Sequence, residues 1–325
     1  IRILNLSFGA SPASHYWDDP VNQAVMAVWK KGIIVVVAAG NGGPGPMTVG
    51  VPANVPYVIT VGAMTDNYTP DDRSDDRLAT FSAAGPTVEG FVKPELVAPG
   101  GHMLGQMPPY AWLPLDHPKY VQQVNHDFTM SGTSQAAAVV SGVLALMLEK
   151  EPSLKPDEAK CRVMASARRA LRDDGTPAYS LFQQGAGLVD AVAAVKESVV
   201  DCANRGLNIK DDLAGDKHYA GPSGVDEKGT YYLVDRKGKR LSGPGFEWTQ
   251  GSLWRNGTLW PEGSLWNDGA LWNQGVAWNG KNSSITGSLW NQGSVWPEGS
   301  LWPEGAVWPE GLTRAISTSA WVDTE

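Results

Sequence analysis

The sequence has few cysteines and lacks long apolar runs and basic blocks, and each shortage limits what the protein can be. Its two cysteines, Cys161 and Cys202, allow at most one disulfide. They either form that bond or are two unrelated small apolar residues. No apolar run reaches the roughly 20 residues of a membrane-spanning helix, so we expect no span. The net charge of −8 comes without a basic block, which argues against nucleic acid as a partner.

The chain is long enough for a sizeable core. Its 325 residues, 42% hydrophobic and 18% charged, fit one core with an appendage or two domains. The first residue is Ile1 rather than Met, and residues 1–7 have the pattern of a strand. We therefore expect a fragment of a longer protein, in which a signal peptide cannot be sought.

Residues 1–197 have the pattern of an α/β domain. Strands are predicted at about 1–8, 33–39 and 57–63, and the β-branched run at 33–39 is typical of a buried parallel strand. Helices are predicted at 21–32, from Gly132 to about 148, from Pro156 to about Leu171, and at Leu188–Lys196. Strands that alternate with helices indicate a parallel sheet flanked by helices.

The remaining residues divide into three segments. Residues 198–244 are predicted to be a polar connector with a hairpin that turns through residues 236–239, and residues 311–325 a tail. Between them, residues 245–310 form a tryptophan hexapeptide repeat, which favours a β-solenoid or a ladder of short strands. The alternative is a flexible low-complexity tail. The ten repeat tryptophans are Trp248, Trp254, Trp260, Trp266, Trp272, Trp278, Trp290, Trp296, Trp302 and Trp308.

One segment points to nucleophilic catalysis. Gly132-Thr133-Ser134 runs directly into an alanine-rich stretch, which predicts a helix with Ser134 at its N-terminus. Free backbone N–H groups and the helix dipole favour negative charge there. Taken alone, a serine at this position is more commonly a helix cap.

Residues 129–142 resemble the nucleophile motif of the subtilase family of serine proteases, and residues 38–43 resemble its oxyanion-hole segment. The resemblance implies that Ser134 attacks the scissile carbonyl. It also implies that the Asn41 side-chain amide and the Ser134 backbone N–H bind the resulting oxyanion. The alternative for Asn41 is an ordinary Asn-Gly turn.

The likeness continues in chain order to about residue 197. It departs from the family at Gln135, Ala138 and Val140, none of which transfers a proton in this chemistry. The resemblance implies that two three-residue segments form the walls of the substrate pocket, and that the first also pairs with the substrate backbone. They are Ser7, Phe8 and Gly9, and Ala38, Ala39 and Gly40.

Two members of the expected triad are missing. Subtilisins place Asp, His and Ser in that order along the chain, yet none of the five histidines here precedes Gly-Thr. His126, eight residues before Ser134, lies in an insertion-like stretch and is not assigned as the base. Without a base, a serine hydroxyl is a weak nucleophile, so we expect this chain alone to be inactive.

The sequence therefore predicts a serine endopeptidase, present as a fragment that lacks the catalytic Asp and His, acting on protein or peptide substrates. The alternative is a non-catalytic subtilase-like scaffold whose tryptophan repeat contacts a cell wall or polysaccharide. No cofactor is required. Calcium is frequent in the family, but we find no dense carboxylate loop that commits the chain to a metal. The family's habit, the repeat and the cysteines favour a secreted protein.

Overall fold

The computed structural model describes residues 1–122, 127–235, 237–243, 245–249 and 276–277. Its strands are β1 (Ile3–Leu6), β2 (Ile34–Ala38), β3 (Ile59–Thr65), β4 (Arg77–Leu78), β5 (Leu96–Pro99), β6 (Met103–Gln106), β7 (Asp127–Met130), β8 (Tyr219–Ala220), β9 (Ser223–Val225), β10 (Thr230–Leu233), β11 (Glu247–Thr249) and β12 (Val276–Ala277). Its helices are α1 (Pro20–Lys30), α2 (Trp112–Asp116), α3 (Thr133–Lys150), α4 (Pro156–Ala165), α5 (Leu181–Gln184), α6 (Ala191–Lys196) and α7 (Ile209–Ala214).

A five-stranded sheet forms the centre of the α/β domain. β1, β2 and β3 lie side by side and parallel, and β5 pairs parallel with β3. β4 pairs antiparallel with the end of β3. Every residue of β2 is buried, as expected for an unbroken β-branched run inside a parallel sheet. The predicted α/β class with a mostly parallel sheet is confirmed.

Helix α3 lies across this sheet and contacts β1, β2, β3 and β5. Its small side chains allow a close approach, because Ala136 and Ala137 are fully buried. Larger members of the same face, such as Leu144, also reach the core, and burying each one contributes about 1.5–3 kcal/mol. The sheet therefore fixes the position of the first turn of α3, where Ser134 lies.

The end of α4 and the start of α6 differ from the sequence prediction because of one backbone pairing between them. The helix predicted to run from Pro156 to about Leu171 ends at Ala165, and the helix predicted from Leu188 begins at Ala191. Between them, Arg168 and Leu188 exchange both backbone hydrogen bonds, at 2.8 and 2.6 Å. A non-local bridge thus takes the backbone groups that would have continued either helix, and such a bridge leaves no local pattern.

Residues 198–249 pack on the same core as the α/β domain. Tyr219, Leu233 and Trp248 belong to the main buried cluster, and β9, β10 and β11 form a small antiparallel sheet. A disulfide joins Cys161 of α4 to Cys202, which decides between the two interpretations of the cysteines. β12 pairs with β8; the rest of the predicted tryptophan repeat after residue 249, and the predicted tail, lie outside the described residues.

The carboxylate of Asp212 anchors this C-terminal segment to the domain. Its Oδ2 accepts hydrogen bonds from the hydroxyls of Tyr16 (2.7 Å) and Tyr57 (2.9 Å), and its Oδ1 lies 2.8 Å from Nδ1 of His218. Burial and the Asp212 charge raise the pKa of both tyrosines well above its usual range. Three partners compensate the loss of water around a side chain that is fully buried.

We predict that Asp212→Asn lowers the free energy of unfolding by about 1.5–3 kcal/mol, because a charged acceptor of three groups is lost at constant shape. Denaturant unfolding followed by circular dichroism measures the change. Asp216→Asn is the matched control, since Asp216 is exposed on the same segment. Equal stability of the two variants would contradict the anchoring role of Asp212.

Candidate active site

Ser134 is the second residue of α3 and lies against the residue that follows β1. Its hydroxyl is 3.4 Å from the carbonyl oxygen of Ser7, and the Ser7 hydroxyl is 3.3 Å from the carbonyl oxygen of Ser134. In the described part of the chain, the Ser134 backbone N–H has no recorded partner, as is usual in the first turn of a helix. The hydroxyl and this free donor therefore belong to the same residue.

Thr133 fixes the side chain of Asn41 beside this turn. The Asn41 Oδ1 accepts hydrogen bonds from the Thr133 backbone N–H and the Thr133 hydroxyl, both at 2.9 Å. The same hydroxyl accepts a hydrogen bond from the Gly40 N–H at 3.1 Å. Because the carboxamide oxygen is held toward α3, the amide nitrogen of Asn41 is left to donate to another group.

The residues predicted as pocket walls lie at the ends of β1 and β2. Ala38 and Ala39 are buried, and the Ala39 N–H donates to the Val61 carbonyl at 2.9 Å. Gly40 has φ of +111°, a conformation that favours glycine and turns the chain from β2 toward Thr133. Ser7 and Gly9 are exposed, and the Phe8 side chain is 57% exposed. Contacts thus join Ser7, Gly40, Asn41 and Ser134 around one turn of α3, whereas Phe8 lies outside them.

Each described histidine pairs with a carboxylate away from Ser134. The distances are 3.1 Å for His15–Glu89, 3.3 Å for His117–Asp116 and 2.8 Å for His218–Asp212, and His102 pairs with Asp66. The hydrogen bond to Glu89 raises the pKa of His15. Within the described ranges no histidine bonds to Ser134, and His126 lies outside them.

Sequence reasoning missed two features of this part of the molecule. One is Thr133, whose backbone and hydroxyl both bind Asn41; the signal was a hydroxyl residue directly before the serine in Gly-Thr-Ser. The other is a carboxylate-rich stretch at residues 66–76, where Asp76 is buried. The aspartates of this stretch are visible in the sequence, but the burial of Asp76 is not. Within the described ranges no three His, Cys, Asp or Glu side chains converge on a point that could hold an ion.

A serine hydroxyl at a helix N-terminus beside a fixed side-chain amide is an arrangement that enzymes with a serine nucleophile use. The chain belongs to the subtilase family: the model of that family matches residues 1–187. It is therefore a subtilase-family serine protease domain, and the resemblance seen in the sequence is confirmed at the level of the family.

Several curated proteins are similar to this chain. Serine protease AprX of Bacillus subtilis (strain 168) is 38% identical over 198 residues, which cover 60% of this chain and 43% of AprX. Subtilisin DY of Bacillus licheniformis is 29% identical over 198 residues, or 60% of this chain and 57% of subtilisin DY. The chain thus spans less than two thirds of either relative.

Among solved structures, that of the prenylagaramide maturation protease PagA is similar to this chain. The match covers 60% of this chain and 61% of the PagA chain, with 26% identity and a TM-score of 0.43.

In the described part of the chain, no helix has both the length and the apolar character to cross a membrane.

We predict that Thr133→Val speeds hydrogen exchange of the Gly40 amide by roughly tenfold or more, because a partly buried N–H loses its acceptor. Exchange followed by NMR measures this change. Thr133→Ser keeps the hydroxyl and serves as the control, which should exchange at the wild-type rate. Equal exchange in the valine and serine variants would show that the hydroxyl does not hold Gly40 and Asn41 together.

Proposed function

We propose that this chain supplies the nucleophile and the oxyanion hole of a serine endopeptidase. The observation that supports it most directly is the orientation of Asn41, whose amide oxygen is bound by Thr133 at 2.9 Å while its nitrogen is left to donate. A donor that is fixed before the reaction loses little energy to reorganisation when charge develops. An ordinary turn asparagine does not require two hydrogen bonds from Thr133, the residue next to the serine, to fix its side chain.

In the proposed reaction the Ser134 Oγ attacks the carbonyl carbon of the scissile peptide and loses its proton to a general base. The carbonyl oxygen becomes an oxyanion, which accepts hydrogen bonds from the Asn41 Nδ2 and the Ser134 N–H. The tetrahedral intermediate then expels the amine, which takes up the proton, and leaves an ester on Ser134. Water then hydrolyses this acyl-enzyme. The hydrogen bonds to the oxyanion stabilise a charge that the bound substrate does not carry, so they lower the barrier to reaction.

The substrate is proposed to be an extended peptide beside residues 7–9. β1 is the first strand of the sheet order, and the exposed backbone of Ser7, Phe8 and Gly9 follows it directly. An extended peptide gains affinity by backbone hydrogen bonds to such an exposed segment. Gly40, Ala38 and Ala39 would form the opposite wall.

The general base and its orienting carboxylate are proposed to come from residues outside this chain. The described histidines support this proposal, because each is already paired with a carboxylate remote from the serine. Secretion is likewise a proposal. It is supported by the Cys161–Cys202 disulfide, since such bonds persist in oxidising compartments.

We predict that this chain alone reacts with a fluorophosphonate no faster than its Ser134→Ala variant, because no base activates the hydroxyl. Labelling followed by intact-mass spectrometry measures both rates. Rapid labelling at Ser134 would show that a base is present within the sequence and would overturn the proposed origin of the histidine.

In a longer form of the protein that cleaves peptides, we predict that Ser134→Ala abolishes turnover. Asn41→Ala should lower kcat by about 10²–10³ with little change in KM, a range set by subtilisin itself for the loss of one oxyanion donor. Steady-state kinetics separates the two constants. Asn208→Ala is the control, since the Asn208 side chain binds Lys210 and Asp211 in the first turn of α7 and has no proposed part in the reaction. Unchanged kcat for Asn41→Ala would contradict the oxyanion assignment.

A further inference from the structure

A cavity of about 350 Å³ lies beside α3, lined by residues that do not include Ser134 or Asn41. Part of its wall is apolar and comes from Met64 at the end of β3, Met103 of β6, and Val139 and Val143 of α3. Val139 and Val143 are five and nine residues past Ser134, so they lie on the side of α3 turned away from it. The cavity is thus distinct from the candidate active site.

The rest of the wall is ionic, and one of its groups lacks a partner. Asp76 is 4% exposed and lines the cavity. In the described part of the chain, no hydrogen bond or ion pair is recorded for its carboxylate. Buried carboxylates are normally paired or hydrogen-bonded, so this one is poised to accept a donor from within the cavity.

The charges around Asp76 favour a cation as that donor. Four charged side chains line the cavity, Asp66, Arg73, Asp76 and Arg168, of which Asp66 already pairs with His102 and Arg73 is exposed to solvent. Burial raises the pKa of Asp76 to about 6, and the positive charges of Arg73 and Arg168, which line the same cavity, oppose that rise. Arg168 lies 3.6 Å from Asp190 (Nε to Oδ2). With a pKa of about 6, the Asp76 carboxyl is mostly ionised at neutral pH.

The lining also selects the kind of cation. No three His, Cys, Asp or Glu side chains of the described residues converge on a point that could hold a metal. A hydrated metal ion gains nothing from the methionine and valine side chains of the wall. An alkyl chain of a few carbons is stabilised by burial beside them. Pro70 and Arg73 of the lining are exposed to solvent.

We propose that this cavity binds an organic ammonium with an apolar arm, such as a primary alkylamine or a lysine side chain, with Asp76 as its counter-ion. The ammonium donates to the Asp76 carboxylate, and the alkyl arm packs between Met64, Met103 and the two valines of α3. None of these residues belongs to the proposed active site, so the test of this cavity is independent of the peptidase proposal.

The test is a titration of the full chain, labelled with 13C at the methionine methyl groups, with hexylammonium. NMR signals of Met64 and Met103, assigned by single Met→Leu variants, should shift and saturate at one equivalent bound. Hexanol and hexanoate have the same chain length without the positive charge, and each should bind at least tenfold more weakly. Equal binding of hexanol, or shifts that never saturate, would overturn the proposal.

Two variants locate the counter-ion and the alkyl arm. Asp76→Asn should weaken hexylammonium binding by roughly ten- to a hundredfold, because a charged hydrogen bond is lost, whereas Asp71→Asn, an exposed carboxylate of the same loop, should leave it within twofold. Val139→Phe fills the apolar part from a half-buried position and should also abolish binding. Undiminished affinity in Asp76→Asn, with its fold verified by circular dichroism, would show that this site does not exist.

Discussion

The contact between Asn41 and Thr133 joins two parts of the chain that are 92 residues apart. Asn41 follows a strand at the centre of the sheet, and Thr133 opens a helix that crosses the same sheet. If the helix moved along its axis, the 2.9 Å bonds to Asn41 would break, and the amide would lose its orientation. The packing of α3 on β1, β2, β3 and β5 is therefore what makes the candidate oxyanion donor rigid.

This dependence explains why small residues fill the interface. Ala136 and Ala137 of α3 are fully buried, and a Cβ added to Gly100 would lie 2.8 Å from the Ala63 Cβ. The same added Cβ would lie 2.8 Å from the Gly132 carbonyl oxygen and 3.2 Å from the Ala136 Cβ, so a longer side chain at Gly100 would push α3 away from the strands. Hydrogen bonds to Asn41 tolerate changes of only a few tenths of an ångström, so the packing distance controls the geometry at Ser134.

The central elements could be predicted from sequence because each has a strong local pattern. The β-branched run of β2 and the apolar face of α3 gave nearly correct boundaries, as did Pro156 at the start of α4. The end of α4 could not be predicted, because Arg168 pairs with Leu188, twenty residues later. Pairings of this kind depend on the whole fold and not on the residues that flank the helix.

The same distinction applies to the site. Ser134 and Asn41 could be singled out because the segments that contain them resemble two motifs of the subtilase family, and the structure brings both residues to Thr133. How Thr133 binds Asn41 depends on the helix position and could not be read from the sequence. Asp76 was missed since it lies in a run of aspartates and arginines, and such residues are ordinarily solvated. Its burial depends on the tertiary fold, because Asp76 shares a cavity wall with residues of α3.

Buried charges outside the site show how the domain holds its C-terminal segment. The ammonium groups of Lys93 and Lys160 lie 2.7 and 2.8 Å from the same oxygen of Glu95. Burial, with added repulsion from Lys160, lowers the pKa of Lys93 to about 7. One carboxylate cannot compensate two cations fully, so the backbone carbonyls at 56–58 and the Asn204 Oδ1 supply the rest. Because Asn204 belongs to the segment after α6, the charges of the α/β core are satisfied only when that segment is packed in place.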